Sequence, residues 1–209
     1  MIKLYTSAGS CSTASHIALQ ESGIPFEIQL VTFDSGFLET KEALAINPKG
    51  YVPFLAVDST KYLAEGSAIL QYIAELAPDK NLFPAKGFER FKALEWLSFT
   101  ATEIHKTIGG LFSAEALVKD ESARTQYVAT VHEMLAPKLA FLDQSLNAKN
   151  FILGQNFSVV DAYLFVVLGW TKYLNIDLSP YQNIVSFMSR VDARPSTQRA
   201  MKAEGLLDD

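Results

Sequence analysis

The sequence predicts an α/β module joined to an all-helical module. The first 78 of its 209 residues change repeatedly between the two-residue period of a strand and the period of a helix. From residue 88 onward only helical patterns are found, and the segment before it, with Pro84 and Gly87, is typical of a linker. We therefore expect an α/β domain over residues 1–78, a linker over 79–87 and an all-helical bundle domain over 88–209.

The first domain is predicted to have the element order β-α-β-(α)-β-β-α. Apolar side chains alternate at Phe26, Ile28 and Leu30, which indicates a half-buried strand, and Gly23 is typical of the residue that ends a helix. Residues 34–46 carry no firm signal and are interpreted as a loop with a short helix. The predicted strands cover residues 2–5, 26–30, 52–57 and 62–64, and the predicted helices cover 13–22 and 67–77.

The second domain shows helical periodicity in several segments. Pro137 lies inside one of them and is expected to kink it, because proline lacks the backbone donor that a helix interior uses. Ser158 and Asp161 have the spacing of a capping box at a helix start, and Arg194-Pro195 is expected to close the last predicted helix. The predicted helices cover 88–106, 124–146 and 184–191, with another beginning after Ser158.

Composition argues against several classes of function. The net charge is -5 and no run of Lys or Arg occurs, which is not expected of a nucleic-acid-binding protein. The longest apolar stretch, residues 162–170, is about half the length of a membrane span, and the N-terminus lacks a secretory-signal pattern. Cys11 is the single cysteine, so no internal disulfide is expected, and with three histidines a metal site is not expected either. We therefore expect a cytoplasmic protein without nucleic-acid, membrane or metal partners.

Cys11 is the first residue that could carry chemistry. It lies among Gly9, Ser10 and Ser12, in the predicted turn between the first strand and the first helix. Free amides at a helix start stabilise anions, so the pKa of this thiol is expected to be lowered, which would make it a nucleophile or a donor to another thiolate. A lone cysteine is alternatively a small buried apolar residue, and the local sequence leaves both interpretations open.

Pro53 follows Val52 at the start of a predicted strand, although proline cannot donate a ladder hydrogen bond. A cis bond between them would turn the backbone groups of Val52 outward, toward a peptide-like ligand. The alternative is an ordinary edge-strand proline, and the local sequence favours it because cis bonds are rare.

Glu65, Gly66 and Ser67 lie between a predicted strand and the helix after it. Ser67 is expected to cap that helix. Helix-start amides beside a carboxylate suit the two charges of an amino-acid headgroup. The alternative is plain capping beside a solvated Glu65, which the local sequence favours.

Ser98, Thr102 and His105 are spaced to share one face of a regular helix. Polar groups on an otherwise apolar face indicate a lined cleft. The alternatives are a mildly polar helix side or a core histidine with a satisfied hydrogen bond. The other histidines, His16 and His132, are predicted to lie at the surface.

Taken in order, these segments resemble the beta class of bacterial glutathione transferases. The resemblance covers nearly the whole chain, and the ordered set is specific although thioredoxin-fold relatives share several single segments. The segments are Gly9-Ser10-Cys11-Ser12, Ile46-Asn47-Pro48-Lys49-Gly50, Val52-Pro53, Glu65-Gly66, Ala68-Ile69, Gln71-Tyr72, Glu95-Trp96-Leu97, Thr102-Glu103, His105-Lys106, Phe157-Ser158-Val159 and Asp161-Ala162-Tyr163.

The resemblance implies a thioredoxin-like N-terminal domain, a helical C-terminal domain and a homodimer. It implies a cis bond before Pro53, with glutathione lying along the strand edge at Val52. It further implies that Cys11, Ser10 and His105 surround the glutathione sulfur as catalytic residues. The implied glutathione-binding residues are Tyr5, in a secondary role, and Val52, Pro53, Glu65, Gly66, Ser67, Ser98 and Thr102.

Two departures from the family pattern bear on glutathione binding. A close family member has Asn at the position of Ser98, and it has a Lys in the segment that here covers residues 34–37, where the nearest lysine is Lys41. The missing charge is expected to weaken glutathione binding by about 1–3 kcal/mol.

The function implied by the resemblance is that of a glutathione S-transferase, which conjugates the glutathione thiolate to small hydrophobic electrophiles in detoxification. An apolar pocket for the electrophile is expected around residues 108–112 and 166–170. Two alternatives stay open: glutaredoxin-like thiol–disulfide exchange through Cys11, and a non-catalytic binding protein of the same fold. The sequence identifies neither the electrophile nor the dimer interface.

Overall fold

The computed structural model describes residues 1–207. Its N-terminal part alternates strands and helices in the predicted order, and Gly23 ends the first helix with a φ of 70°. The strands are β1 Ile2–Thr6, β2 Phe26–Leu30, β3 Phe54–Ala56 and β4 Tyr62–Ala64, and the helices are α1 Thr13–Ser22, α2 Lys41–Ile46 and α3 Gly66–Leu76.

The four strands form one sheet in the order β2-β1-β3-β4. Strand β1 runs parallel to β2 and antiparallel to β3, which pairs antiparallel with β4. Because side chains alternate along a strand, Leu4 packs into the main core with residues of α1 and α3, whereas Tyr5 joins a smaller cluster. This thioredoxin-like arrangement brings the end of β1 beside the residues that precede β3.

The C-terminal part is built from helices. The predicted fold class, an α/β domain of thioredoxin-like topology followed by a helical bundle, is confirmed. Within residues 1–207 no helix combines the length and apolar character needed to cross a membrane. The helices are α4 Gly87–Phe99, α5 Lys106–Phe112, α6 Ala114–Leu117, α7 Glu121–Ser145, α8 Val159–Gly169, α9 Gln182–Asp192 and α10 Pro195–Ala203.

One hydrophobic core runs through both parts of the chain. Helix α1 packs against α3 within the first part and against α8 and α10 of the second. Helix α8 is apolar on all sides and buried along nearly its whole length, as expected for a helix at the centre of a bundle. The helical part therefore holds α1, and the turn that precedes it, in a fixed position.

The predicted helix over residues 88–106 is interrupted in the structure. Helix α4 ends at Phe99, a π-helical turn spans Thr100–His105, and α5 begins at Lys106. A π turn is wider than an α turn and is frequent at functional sites. Because the period changes in the π turn, the residues that follow the turn are rotated relative to α4. The sequence prediction assumed a regular helix and did not include this rotation.

Other helical features agree with the sequence or extend it. Helix α7 runs through Pro137 as a single helix of 25 residues. Ser158 and Asp161 form the predicted capping box, in which the Asp161 carboxylate accepts hydrogen bonds from the Ser158 amide and hydroxyl at 2.8 and 2.6 Å. Helix α10 was not predicted, although Pro195 at its first position is a typical start signal.

Candidate active site

The turn between β1 and α1 is organised by the hydroxyl of Ser12. This hydroxyl is hydrogen-bonded to the Thr6 hydroxyl at 2.8 Å, to the Ser10 hydroxyl at 2.6 Å, and to the Ser7 amide at 2.9 Å. Ser12 is itself fully buried, so the turn is anchored from within the protein. The anchor fixes the backbone that presents Ser10 and Cys11 at the edge of the sheet.

Cys11 is half-buried at the start of α1, and its Sγ lies 3.9 Å from the carbonyl oxygen of Val52. Burial raises the pKa of the thiol to about 11, against the lowering effect of its own backbone amide. The expectation of a lowered pKa is therefore wrong, because desolvation of the thiolate outweighs the helix start. At neutral pH Cys11 is a protonated thiol, which suits a hydrogen-bond donor better than a nucleophile.

The bond between Val52 and Pro53 is cis, as the family resemblance implied and the local sequence did not. The amide of Val52 donates to no other residue among those that the structure describes. Gly66 lies against the proline, since a Cβ at Gly66 would be 3.9 Å from Pro53 Cγ. The strand edge and the start of α3 therefore adjoin one another.

Glu65 has a left-handed backbone, with φ 75° and ψ 116°. A non-glycine residue in such a region costs about 1–3 kcal/mol, and such residues cluster at functional sites. Glu65 is the residue that precedes α3, and no side chain caps this helix, so the prediction that Ser67 is the cap is wrong. The amides of Gly66 and Ser67 make no hydrogen bond within the described residues and can receive a carboxylate.

The Glu65 carboxylate is held by two side chains of the preceding loop. Lys49 Nζ and the Tyr51 hydroxyl both donate to Oε1, the latter at 2.7 Å. Hydrogen bonds from Lys49 first and then from Tyr51 lower the pKa of Glu65. Sequence reasoning did not single out these two residues, although Lys49 belongs to a segment quoted for the family resemblance.

His105 closes the π turn and contacts α8. Its Nδ1 is 2.7 Å from the Tyr163 hydroxyl, and its ring meets that of Trp170 edge to face at 4.9 Å. Burial, with a smaller effect of the Lys106 charge, lowers the pKa of His105 to about 4, so the ring is neutral near pH 7. The Trp170 indole also donates to the carbonyl of Gly9 at 2.8 Å, which ties the helical part to the β1–α1 turn.

Ser98, Thr102 and Tyr5 make no hydrogen bond to Cys11, Glu65 or the His105 side chain within the described residues. Ser98 and Thr102 are exposed, and the Thr102 hydroxyl donates to the Ser98 carbonyl at 3.0 Å. Ser98 precedes the π turn, whereas Thr102 and His105 lie within it, and only His105 is half-buried. The three side chains therefore do not form the uniform polar face that the sequence predicted. Tyr5 is buried in the smaller cluster, with ring centroids 4.2 Å from Phe54 and 6.0 Å from Phe37.

The prediction that His16 lies at the surface is wrong, whereas His132 is exposed as predicted. His16 is buried, and its Nδ1 lies 2.9 Å from Glu204 Oε1. Glu204 follows α10, and no local pattern in the sequence singles it out. Lys41 is the lysine nearest in sequence to residues 34–37, the segment in which a close family member has a lysine. It is exposed in the first turn of α2. Within residues 1–207 no cluster of three or more His, Cys, Asp or Glu side chains could hold a metal ion.

Family models match most of the chain. The model described as the glutathione S-transferase N-terminal domain matches residues 8–76, and the one described as the C-terminal domain matches residues 99–195. Glutathione S-transferase GstA of Escherichia coli O157:H7 is 40% identical over 207 residues, which cover 98% of this chain and 100% of that protein. Glutathione S-transferase GST-4.5 of Xanthomonas campestris is 36% identical over 211 residues, covering 98% and 100%.

Solved structures lead to the same family. A sphingomonad glutathione S-transferase complexed with glutathione is 39% identical with a TM-score of 0.86, covering 98% of this chain and 100% of that one. A bacterial beta-class glutathione S-transferase of Sphingomonas chungbukensis is 38% identical, with the same TM-score and coverage. The chain therefore belongs to the glutathione S-transferase family and is similar to its bacterial beta class.

Proposed function

We propose that this protein is a glutathione transferase, in which glutathione is the co-substrate and its thiolate is conjugated to a small hydrophobic electrophile. The observation that carries the proposal is the meeting of three elements at one corner. The β1–α1 turn with Ser10 and Cys11, the cis Val52-Pro53 edge and the start of α3 at Glu65 adjoin one another there. A sphingomonad relative described as complexed with glutathione has the same fold at 39% identity.

The corner offers partners for the peptide backbone and for the γ-glutamyl end of glutathione. The free amide and the carbonyl of Val52 suit the peptide backbone of a ligand that lies along the strand edge. The free amides of Gly66 and Ser67 suit the γ-glutamyl carboxylate, and Glu65 suits its ammonium. Two sequence-predicted residues, Ser98 and Thr102, are exposed and would take part only if the electrophile or a second chain covers the end of α4 and the π turn. Lys49 is already paired with the Glu65 carboxylate, so it does not replace the lysine that residues 34–37 lack.

Donors around the sulfur position would stabilise the thiolate. Ser10 contributes a hydroxyl, Cys11 contributes a protonated thiol, and the Cys11 amide donates to no other residue within residues 1–207. His105, at the end of the π turn, contacts Trp170, which itself donates to the Gly9 carbonyl of the β1–α1 turn. Tyr5 packs its ring beneath this edge and would act through the position of Val52, which belongs to the same cluster.

The electrophile would be bound by aromatic side chains beside His105. The Phe112 and Trp170 rings meet edge to face at 5.9 Å, and Phe112 is largely exposed. Val166, which the sequence also suggested, lines a cavity of about 490 Å³ between α8, α9 and α10, which Trp170 also borders but neither Phe112 nor His105 does. We therefore place the electrophile against Phe112 and Trp170 and not against Val166.

We further propose a cytoplasmic homodimer with a detoxifying role and the domain limits predicted above, residues 1–78, 79–87 and 88–209, of which 208 and 209 lie outside the described part. Exposed apolar side chains on α4 and α7 support an interface there. Phe141 of α7 stacks on Trp96 of α4 at 5.7 Å, and Phe91 stands exposed on α4 as well. Exposed aromatic groups of this kind are typical of protein interfaces.

A Cys11→Ala variant tests the proposal, with Cys11→Ser as the matched control that keeps a donor. We expect both to conjugate glutathione to a chlorodinitrobenzene within about tenfold of the wild-type rate, since one neutral hydrogen bond is at stake. Reduction of a mixed disulfide should be abolished in both, because it needs the Cys11 sulfur.

Loss of conjugation in a folded Cys11→Ser protein would contradict the proposal and favour thiol–disulfide exchange. Wild-type protein that is retained on immobilised glutathione but turns over neither substrate would instead be a binding protein.

A further inference from the structure

The hydroxyl of Tyr163 is placed against the one histidine of the active site. Tyr163 lies in the middle of α8 and is buried, and its hydroxyl is 2.7 Å from His105 Nδ1. It makes no other hydrogen bond to the residues that the structure describes. His105 Nε2 has no partner within the same residues, so Nδ1 is hydrogen-bonded inside the protein and Nε2 is not.

The pKa values of His105 and Tyr163 indicate which protons the two side chains carry. His105 is neutral near pH 7 because burial lowers its pKa to about 4, and burial raises the pKa of Tyr163, so the phenol keeps its proton. A neutral imidazole and a phenol can be joined in two ways: the hydroxyl donates to Nδ1, or Nδ1–H donates to the phenolic oxygen. The second way leaves a buried hydroxyl proton without an acceptor, which is unfavourable.

We propose that Tyr163 is a positioning residue for the transferase reaction, donating its hydroxyl proton to His105 Nδ1 so that Nε2 carries the imidazole proton. His105 then presents an N–H donor at its free edge. Such a donor stabilises a thiolate, whereas a bare nitrogen would act as a base toward the thiol. That the sulfur near His105 belongs to glutathione rests on the proposed function. The tautomer of His105 does not depend on it.

Two neighbours hold the imidazole in this orientation. Trp170 meets the ring edge to face, and Gly109 leaves room for it, since a Cβ at Gly109 would be 3.4 Å from His105 Cδ2. With Nδ1 fixed by Tyr163, the ring cannot exchange its two nitrogens without breaking the hydrogen bond. The free Nε2–H edge is therefore presented in one direction.

Nitrogen NMR of the full chain labelled with ¹⁵N-histidine measures the tautomer without any substrate. The chain has three histidines, and the His105 signals are identified as those that disappear in His105→Phe, while His132→Gln assigns the exposed His132 and leaves His16 as the third. We expect His105 to show a protonated Nε2 and a hydrogen-bonded, unprotonated Nδ1 near pH 7. A protonated Nδ1 would overturn the proposal, whether or not the protein proves to be a transferase.

Kinetics of Tyr163→Phe test the consequence for catalysis, with Tyr173→Phe as control because Tyr173 is exposed and its hydroxyl makes no hydrogen bond in the described residues. We expect kcat for conjugation to fall about three- to tenfold, the size of one neutral hydrogen bond, with little change in KM for glutathione. The ultraviolet absorbance of bound thiolate should titrate at higher pH in the variant.

A double-mutant comparison completes the test. In a His105→Phe background the Tyr163→Phe change should have no further effect on kcat. An equal additional loss would show that Tyr163 acts on packing alone and would overturn the proposal. If Tyr163→Phe fails to fold, the wild-type tautomer decides the matter.

Discussion

Two glutamates flank the β1–α1 turn, and their surroundings differ in every respect. The Glu204 side chain is 0% exposed, and each of its oxygens accepts hydrogen bonds: Oε1 from Thr6 and His16, Oε2 from Thr13 and the Gly9 amide. The Glu65 side chain is 59% exposed, and Lys49 and Tyr51 both bind its Oε1. Its Oε2 has no partner within residues 1–207.

The difference separates a structural carboxylate from a binding carboxylate. Burying a charge is costly unless donors replace the lost water, so Glu204 is stable in the core only because four groups converge on it. Glu65 keeps one oxygen available, and its left-handed backbone shows that the fold holds it in a disfavoured conformation. Glu204 therefore stabilises the turn, while Glu65 has the exposed carboxylate oxygen that the proposed binding of an ammonium group requires.

Removing the buried carboxylate should have the largest effect. Glu204→Ala leaves His16, Thr6 and Thr13 without their acceptor, and we expect the free energy of unfolding to fall by about 3–5 kcal/mol. For a chain of this size that corresponds to a melting temperature lower by ~10 °C, measurable by circular dichroism or calorimetry. The control is Glu75→Ala on the exposed face of α3.

If Glu204→Ala melts as Glu75→Ala does, the buried network does not anchor the turn and the contrast drawn here fails. The less drastic Glu204→Gln keeps the volume of the side chain, and its loss should lie between those of the wild type and the alanine variant.

Much of this comparison could not be predicted from the sequence. The hydrogen bond from Thr6 to Glu204 joins residues 198 positions apart, and no periodic pattern reports such a contact. His16 was misjudged for a related reason: a polar residue on a helix is usually exposed, but α1 is enclosed by α3, α8 and α10. Burial of a helix on all sides results from tertiary packing, which a local sequence pattern does not report.

Features with local causes were predicted well. The limits of α1 follow from Thr13, Gly23 and the apolar face between them, and the Ser158–Asp161 capping box depends on residues three apart. The π turn before His105 has no local signature of this kind, so the face of α4 was predicted incorrectly. The cis bond at Pro53 came from family resemblance, because the residues alone favour trans.

Changing the exposed carboxylate should leave the fold intact and weaken binding. Glu65→Gln removes one charge-assisted hydrogen bond to an ammonium group, so we expect KM for glutathione to rise roughly tenfold to a hundredfold. The melting temperature should stay within about 2 °C of the wild type, since exposed ion pairs contribute little to stability. Steady-state kinetics at varied glutathione, with Glu75→Gln as control, provide the measurement.

An unchanged KM for glutathione in Glu65→Gln would show that Glu65 is not part of the binding site. One that unfolds as readily as Glu204→Ala would show that both glutamates are structural.

The smallest effect should come from the loop that holds Glu65. Lys49→Met removes the strongest influence that lowers the pKa of Glu65, leaving the weaker one from Tyr51, so that pKa rises. Glu65 binds an ammonium only as the carboxylate, which is present above its pKa and lost as the pH falls through it. The acid limb of the kcat/KM profile for glutathione should therefore move to higher pH in Lys49→Met and, by less, in Tyr51→Phe. An acid limb at the same pH in all three proteins would mean that Glu65 does not control it, and the open Oε2 would then have no role in binding.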